Sequence, residues 1–264
     1  EELIINDLEE YSRLVNTCYL SNSGEVDGLE LERHYRRLLR YMETHESPGF
    51  ITELYAPRNP ERITAEDRVF YTRRNALYLD TARQTINLLP EEVRPYFIAP
   101  LLAEASIHAN TAGVFKGFYK DKQGVGKFGG SGGNALSRIL GDISLQFPVF
   151  SRFDCRYSIH CRDANELAEE LPEMDVVYLD PPYNQHPYGS NYFMLNLLSS
   201  YKRPEKISRV SGIPKDWKRS TYNSRHQATE SLFHLLESCP AKFILLSYSC
   251  LLYTSPSPRD TERS

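Results

Sequence analysis

Met174-Asp175-Val176-Val177-Tyr178-Leu179-Asp180-Pro181-Pro182-Tyr183 decides how this chain is read. Its first six residues form an apolar run with two adjacent valines. The prolines behind it cannot continue a central ladder, so the stretch predicts a buried strand stopped at its carboxyl end. In open α/β sheets, ligands settle in the crevice beyond the carboxyl ends of strands. The stretch therefore sets a carboxylate, a rigid backbone with free carbonyls and an aromatic face where a ligand is expected.

Those parts match one demanding reaction, methyl transfer to an exocyclic amine of a nucleobase. Such an amine is a poor nucleophile because its lone pair is delocalised into the ring. If Asp180 and a prolyl carbonyl accept its N–H hydrogens, the nitrogen pyramidalises and recovers that lone pair. Pro181 and Pro182 hold the acceptor rigidly in advance, which is electrostatic preorganisation. Tyr183 offers a face for stacking a base taken out of the duplex. The methyl group needs a donor with a good leaving group, and S-adenosylmethionine is one. A strand-ending turn with a packing tyrosine is the competing reading, and a tetrapeptide alone does not separate the two.

At 264 residues the chain holds one medium core, or a core plus a smaller domain. A formal net charge of -4 excludes a generally basic coat, so any nucleic-acid contact must come from local patches. Cys18, Cys155, Cys161, Cys239 and Cys250 show no CxxC pair and no metal-ligand spacing, so reduced thiols and no metal site are expected. No stretch approaches membrane-spanning length and no signal peptide is visible, so a cytoplasmic chain with no membrane partner is expected.

The pattern along the chain is uneven. Glu2 to Asp7 reads as a short buried strand ending in a carboxylate, and a helix is expected from Leu8 to Cys18. From about Gly28 to Asn110 the periodicity is helical, with helices expected over Leu29–Tyr41, Ala65–Leu89 and Glu91–His108. A short strand signal lies at Phe50–Tyr55. Strand and helix then alternate: Arg156–Cys161, Ala164–Leu171, Asp175–Leu179, Asn191–Ser200, Thr229–Ser238 and Lys242–Ser249. That alternation argues for an α/β sheet with the helical block inserted into it.

Three further features join the motif. Asp7 ends an early strand, where a carboxylate accepts hydrogen bonds from ribose hydroxyls; it also suits a helix N-cap. Asp163 follows the strand Tyr157–Cys161, where it can meet a cofactor adenine or cap the next helix. The stretch from Ala109 to Gly130 interleaves Lys116, Lys120, Lys122 and Lys127 with Phe115, Phe118, Tyr119 and Phe128 between glycines. Lysines neutralise phosphates and aromatics stack or wedge against bases, so a DNA contact is expected here, against the alternative of a solvated hairpin with core aromatics. His34, Arg36, Arg37 and Arg40 form a weaker basic patch, more often a solvated helix face. Asn184, His186, Tyr188 and Asn191 are expected at the mouth of the pocket, with His186 a loop residue and no general base. Lys215, Trp217, Lys218 and Arg219 are read as a second DNA-facing loop or plain surface.

Asp180-Pro181-Pro182-Tyr183-Asn184, Asn191-Tyr192-Phe193-Met194-Leu195-Asn196, the Phe243–Ser249 strand and His108–Phe115 with Gly117–Lys120 together resemble the Dam-like (D12) class of adenine-specific DNA methyltransferases. The resemblance covers Asp7 to about Ser249. It implies a Rossmann-like S-adenosylmethionine-dependent methyltransferase sheet, residues 1–22 and 148–250, with a mainly helical target-recognition insertion at 23–147. It implies Asp180, Pro181, Pro182 and Tyr183 as the catalytic set and Asp7, Asp163 and Asp180 as cofactor contacts. DNA contacts are implied at Lys116, Tyr119, Lys120, Lys122, Lys127, Asn184, Tyr188 and Asn191. The expected partners are double-stranded DNA and a possible restriction endonuclease of the same specificity, with the enzyme a monomer.

Two departures accompany it. The family's glycine-rich loop, which seats the methionine end of the cofactor, is expected just upstream of Glu1, so this chain as written is expected to bind cofactor weakly or not at all. Residues 251–264 read as a non-native or disordered tail. An Asp at position 180 favours adenine over cytosine N4, where Ser is usual, and over RNA or protein amides, where Asn is usual. A non-catalytic DNA-recognition module is the reading from a different class.

Overall fold

The computed structural model describes residues 2–130, 132–133, 135–182, 186–224 and 226–247. Tyr183, Asn184 and the whole 251–264 tail lie outside the described residues. The order of elements is β1 (Glu2–Asn6), α1 (Glu10–Leu20), α2 (Gly28–Thr44), α3 (Phe50–Tyr55), α4 (Arg73–Ile86), α5 (Arg94–Ile107) and α6 (Leu136–Leu140). After these come β2 (Arg156–His160), α7 (Ala164–Ala168), β3 (Met174–Leu179), α8 (Tyr188–Asn191), α9 (Phe193–Ser200), α10 (Ala228–Ser238) and β4 (Ala241–Leu246).

The main core joins α1 to the helical block and to α9. Leu14, Leu31, Leu38, Ile51, Leu79, Ile86, Phe97, Leu101, Phe193 and Leu198 are all buried in one cluster. Burying each such side chain stabilises the fold by about 1.5–3 kcal/mol. Most polar groups inside are matched. Pro100 lies within α5 and has no N–H to give the Tyr96 carbonyl; the Cys18 thiol approaches that carbonyl at 4.0 Å. Arg83, 2 % exposed, reaches from α4 to the carbonyls of Leu198 and Ser199 at the end of α9. It thereby satisfies acceptors that a helix C-terminus leaves without partners. Tyr201, in the left-handed region at φ 47, closes that helix.

Asp80 explains a correction. The Phe50–Tyr55 stretch, read as a strand signal, is the helix α3. Its N-cap is Gly49, which has no side chain to cap with, and the buried Asp80 carboxylate on α4 supplies the acceptors instead. It accepts from the N–H groups of Gly49, Ile51 and Thr52, from the Thr52 hydroxyl and from the Tyr201 hydroxyl. A second correction concerns Ala65–Leu89, where helix begins only at Arg73, capped by Thr72. The residues before it are held as a loop by Asp67, whose carboxylate accepts from Arg58 N and Thr64 N.

The strands pair as two parallel ribbons, β1 with β2 and β3 with β4, in registers ending Asn6↔His160 and Leu179↔Leu246. The expected burial of these strands is not found. In β3 only Leu179 is buried, while Val176 and Tyr178 are 53 % and 64 % exposed and Phe243 of β4 is 67 % exposed. The reason is coverage on one face alone. Leu179 and Val177 pack with Ala168 of α7 and Leu235 of α10, and no described element covers the opposite face. Parallel sheets are ordinarily covered on both. β1 is likewise half-buried at best. No described helix is long and apolar enough to cross a membrane.

Candidate active site

Asp180 comes directly after β3, as the proline stop requires. Its carboxylate is exposed, and no described residue donates a hydrogen bond to it. Pro181 is buried and Pro182 half-buried, so the backbone here is fixed by both ring geometry and packing. No described donor reaches the Pro181 or Pro182 carbonyl, whereas the Leu179 carbonyl is taken by Ser247 N at 2.8 Å. The end of β3 thus presents a carboxylate and carbonyl acceptors without intramolecular partners among the described residues.

Asp7 and Asp163 stand beyond the same ends of the other ribbon. Asp7 N donates to the His160 carbonyl at 3.4 Å, and its Oδ1 accepts from Glu9 N at 2.9 Å. The cap residue of α1 is Glu9, so Asp7 forms a turn and is no N-cap. Asp163 does cap α7, its Oδ1 accepting from Asn165 N and Glu166 N. Each carboxylate keeps its second oxygen without a described donor, which fits it to accept from the hydroxyls or amine of a nucleoside. Asn6 locks the two strand ends together, its side chain bonding Arg162 N and Arg162 O.

Sequence reasoning missed several residues at this edge. Glu9 is 3 % exposed and accepts from Asn196 Nδ2 of α9 at 2.5 Å. Burial pushes its carboxyl above the ordinary range, against that hydrogen bond, with Asp7 adding to the rise and Lys218 opposing it. Lys218, read as DNA-facing or plain surface, is exposed, and it donates to the Leu8 carbonyl at 2.7 Å and approaches the Cys161 thiol at 3.5 Å. Gly189 is required there, since a Cβ would meet the Lys218 carbonyl at 2.6 Å. Burial raises the Tyr11 phenol far above its usual value, reinforced by Asp7 and the neighbouring Tyr192.

The Lys/Phe/Gly stretch divides in a way its sequence does not show. Phe115 is buried against Phe70, Tyr71 and Phe193, and Phe118 packs edge-on against Phe70. Those two rings are therefore core anchors and not stacking surfaces, as the hairpin alternative holds. The polar side faces outward. Lys116, Lys120 and Lys122 are exposed, and Tyr119 and Lys127 half-buried. A tight turn carries them, with Asp121 accepting from Gln123 N and Val125 N and Gly124 at φ +82. Asn110 is the residue that fixes this turn to the helical block. Fully buried, it donates to the Val69 and Lys127 carbonyls and accepts from Gly129 N.

The turn also reaches the motif loop. Lys116 Nζ lies 3.1 Å from His186 Nδ1, and Phe115 N donates to the Asn191 carbonyl at 2.7 Å. Asn191 is 8 % exposed, and its buried side-chain oxygen has no hydrogen-bond partner among the described residues. Tyr188 lies at the start of α8 and is exposed, its ring 5.8 Å from Tyr192. Lys116, His186, Tyr188 and Asn191 are thus gathered around the loop after Pro182. Lys122 sits at the far tip of the turn.

Comparison with known proteins matches residues 1–251 to the family described as D12 class N6 adenine-specific DNA methyltransferase. The type II methyltransferase M.CviAII of Paramecium bursaria Chlorella virus 1 is 29 % identical over 257 residues, covering 94 % of this chain and 68 % of its own length. M.NlaIII of Neisseria lactamica is 26 % identical, with 94 % and 69 % covered. M.FokI of Planomicrobium okeanokoites is also 26 % identical, but only 37 % of its length is matched. No solved structure gives a significant match. The match runs through the Asp180 motif, both strand ribbons and the lysine-bearing turn, and the chain belongs to the D12 class of N6 adenine-specific DNA methyltransferases.

Proposed function

We propose that this chain carries the methyl-transfer site of a modification methylase that acts on the N6 amine of adenine in a specific double-stranded DNA sequence. The observation that carries this reading is the end of β3, where Asp180 and the Pro181 and Pro182 carbonyls have no described internal donors. Two such acceptors take the two N–H hydrogens of an exocyclic amine and direct its lone pair outward. Asn191, whose buried side-chain oxygen has no hydrogen-bond partner among the described residues, would join these contacts. Tyr183 and Asn184 complete the mouth in this reading, with Tyr183 stacking the extruded base.

S-adenosylmethionine, when bound, supplies a methyl group on a positively charged sulfur. The free oxygens of Asp7 and Asp163 would hold its nucleoside half, with Asp180 nearest the reacting amine. Lys116, Tyr119, Lys120, Lys122, Lys127 and Tyr188 would meet DNA, and residues 23–147 would act as the recognition insertion in a Rossmann-like sheet formed by 1–22 and 148–250. The enzyme would work as a monomer in the cytoplasm, with an endonuclease of matching specificity as its counterpart. The names of the relatives, modification enzymes of type II systems, support this.

The test is methyl transfer from labelled S-adenosylmethionine to mixed-sequence DNA, followed by nucleoside analysis. Label is expected in N6-methyladenine. Asp180→Ala should lower transfer by at least about a hundredfold, the loss typical of removing one preorganised acceptor or donor, while DNA affinity stays within twofold or so. Label in cytosine, or transfer that survives Asp180→Ala, would overturn the reading.

A further inference from the structure

A cleft of about 520 Å³ is lined by Gly49 and Phe50 where α3 begins, by Glu53, and by Arg58, Arg73 and Arg203. The three guanidinium groups come from separate places: the loop after α3, the first turn of α4, and the segment after α9. Arg203 is held by Glu53 through two hydrogen bonds of 2.6 and 2.7 Å. Arg58 and Arg73 are exposed and have no carboxylate in ion-pair contact among the described residues. Three positive groups against one carboxylate leave two positive charges in one cleft, on a chain whose net charge is -4. Glu53 and the nearby Asp67 carboxylate offset part of this charge, and a cleft of this composition still gains most from an anion. The planar guanidinium fork matches phosphate oxygens in two-point contact.

The phosphate backbone is the anion that a DNA methyltransferase meets at every base pair. We infer that the Arg58–Arg73–Arg203 cleft binds a backbone phosphate of the DNA. The contact orients the duplex and carries no sequence information, as phosphate contacts do. This inference rests on the DNA methyltransferase reading above.

Binding of the full chain to a fluorescent mixed-sequence duplex, followed over a range of salt concentrations, tests it. Arg58→Ala with Arg73→Ala should weaken binding on the order of tenfold for every sequence and flatten the slope of log affinity against log salt by roughly one, the share of a single phosphate. Arg58→Lys with Arg73→Lys, which keeps the charge, should retain the slope. Arg152→Ala with Arg156→Ala, both exposed and outside the recognition insertion, removes the same charge elsewhere and should change neither. Wild-type slope in the cleft double variant, or equal flattening in the Arg152/Arg156 variant, would overturn the cleft while leaving the methyltransferase reading in place. Wild-type chain that fails to bind DNA at all would overturn that reading, and the cleft with it.

Discussion

Single carboxylates divide the work at this site, and their environments explain the division. Asp163 and Asp7 are alike in sequence, each placed between a strand and a helix. The structure makes Asp163 a true cap and Asp7 the pivot of a turn, because Glu9 and not Asp7 is the cap residue of α1. That difference is not legible in the sequence, since cap identity depends on where the first helical turn closes. Glu9 is hidden for a related reason: its partner Asn196 lies 187 positions away. Burial is the main cause of its raised carboxyl, so the folded chain keeps a proton that the unfolded chain releases. Such a group contributes stability that is complete below the ordinary glutamate range and is lost as pH climbs through the raised value. Glu9→Gln keeps an oxygen for Asn196 and removes the titration. Its melting temperature should exceed that of the wild type at pH 7, and the two should converge as pH falls below the ordinary glutamate range. A constant difference across that range would contradict the account.

Elements are legible where the pattern is local and illegible where a distant side chain decides. The proline stop after Leu179, the helical period of α2 and the strand β2 all arise from neighbours in sequence, and the pattern places them to within a few residues. α3 is different, because its first turn is satisfied by Asp80, nearly thirty residues later. Similarly, the interleaved lysines and aromatics of 115–128 give no sign that Phe115 and Phe118 turn inward. Their direction is set by the aromatic cluster of Phe70 and Phe193. Asn110 is the fixing point of this turn. Asn110→Ala deletes three side-chain hydrogen bonds and leaves buried backbone groups without partners, at a cost of about 2–3 kcal/mol. Limited proteolysis should then cut near Lys122 sooner than in the wild type, and DNA affinity should fall in step. Unchanged cleavage would show that the ring anchors alone hold the turn.

The molecule as a whole pairs a well-filled helical core with two thin ribbons. The apolar outer face of β3 and β4, with Val176, Tyr178, Phe243 and Leu245 each more than half exposed, is the largest consequence. Contiguous apolar surface of this kind binds hydrophobic dyes and invites association. Anilinonaphthalene sulfonate fluorescence should rise with the native chain, and Val176→Thr with Phe243→Thr should remove most of that rise; equal dye signal in both would place the exposed surface elsewhere. α9 has a different consequence. Arg83 grips its last carbonyls from α4, Asn196 ties its middle to the start of α1 through Glu9, and Phe193 roots its first turn among the aromatic rings. A rod fastened at three points neither slides nor rotates, so it serves as a gauge. One residue added within it would displace everything beyond by about 1.5 Å and turn it by about 100°. The helix's count of residues, more than the chemistry of any one of them, keeps α8 ahead of it and the segment beyond Ser200 at a set separation and phase.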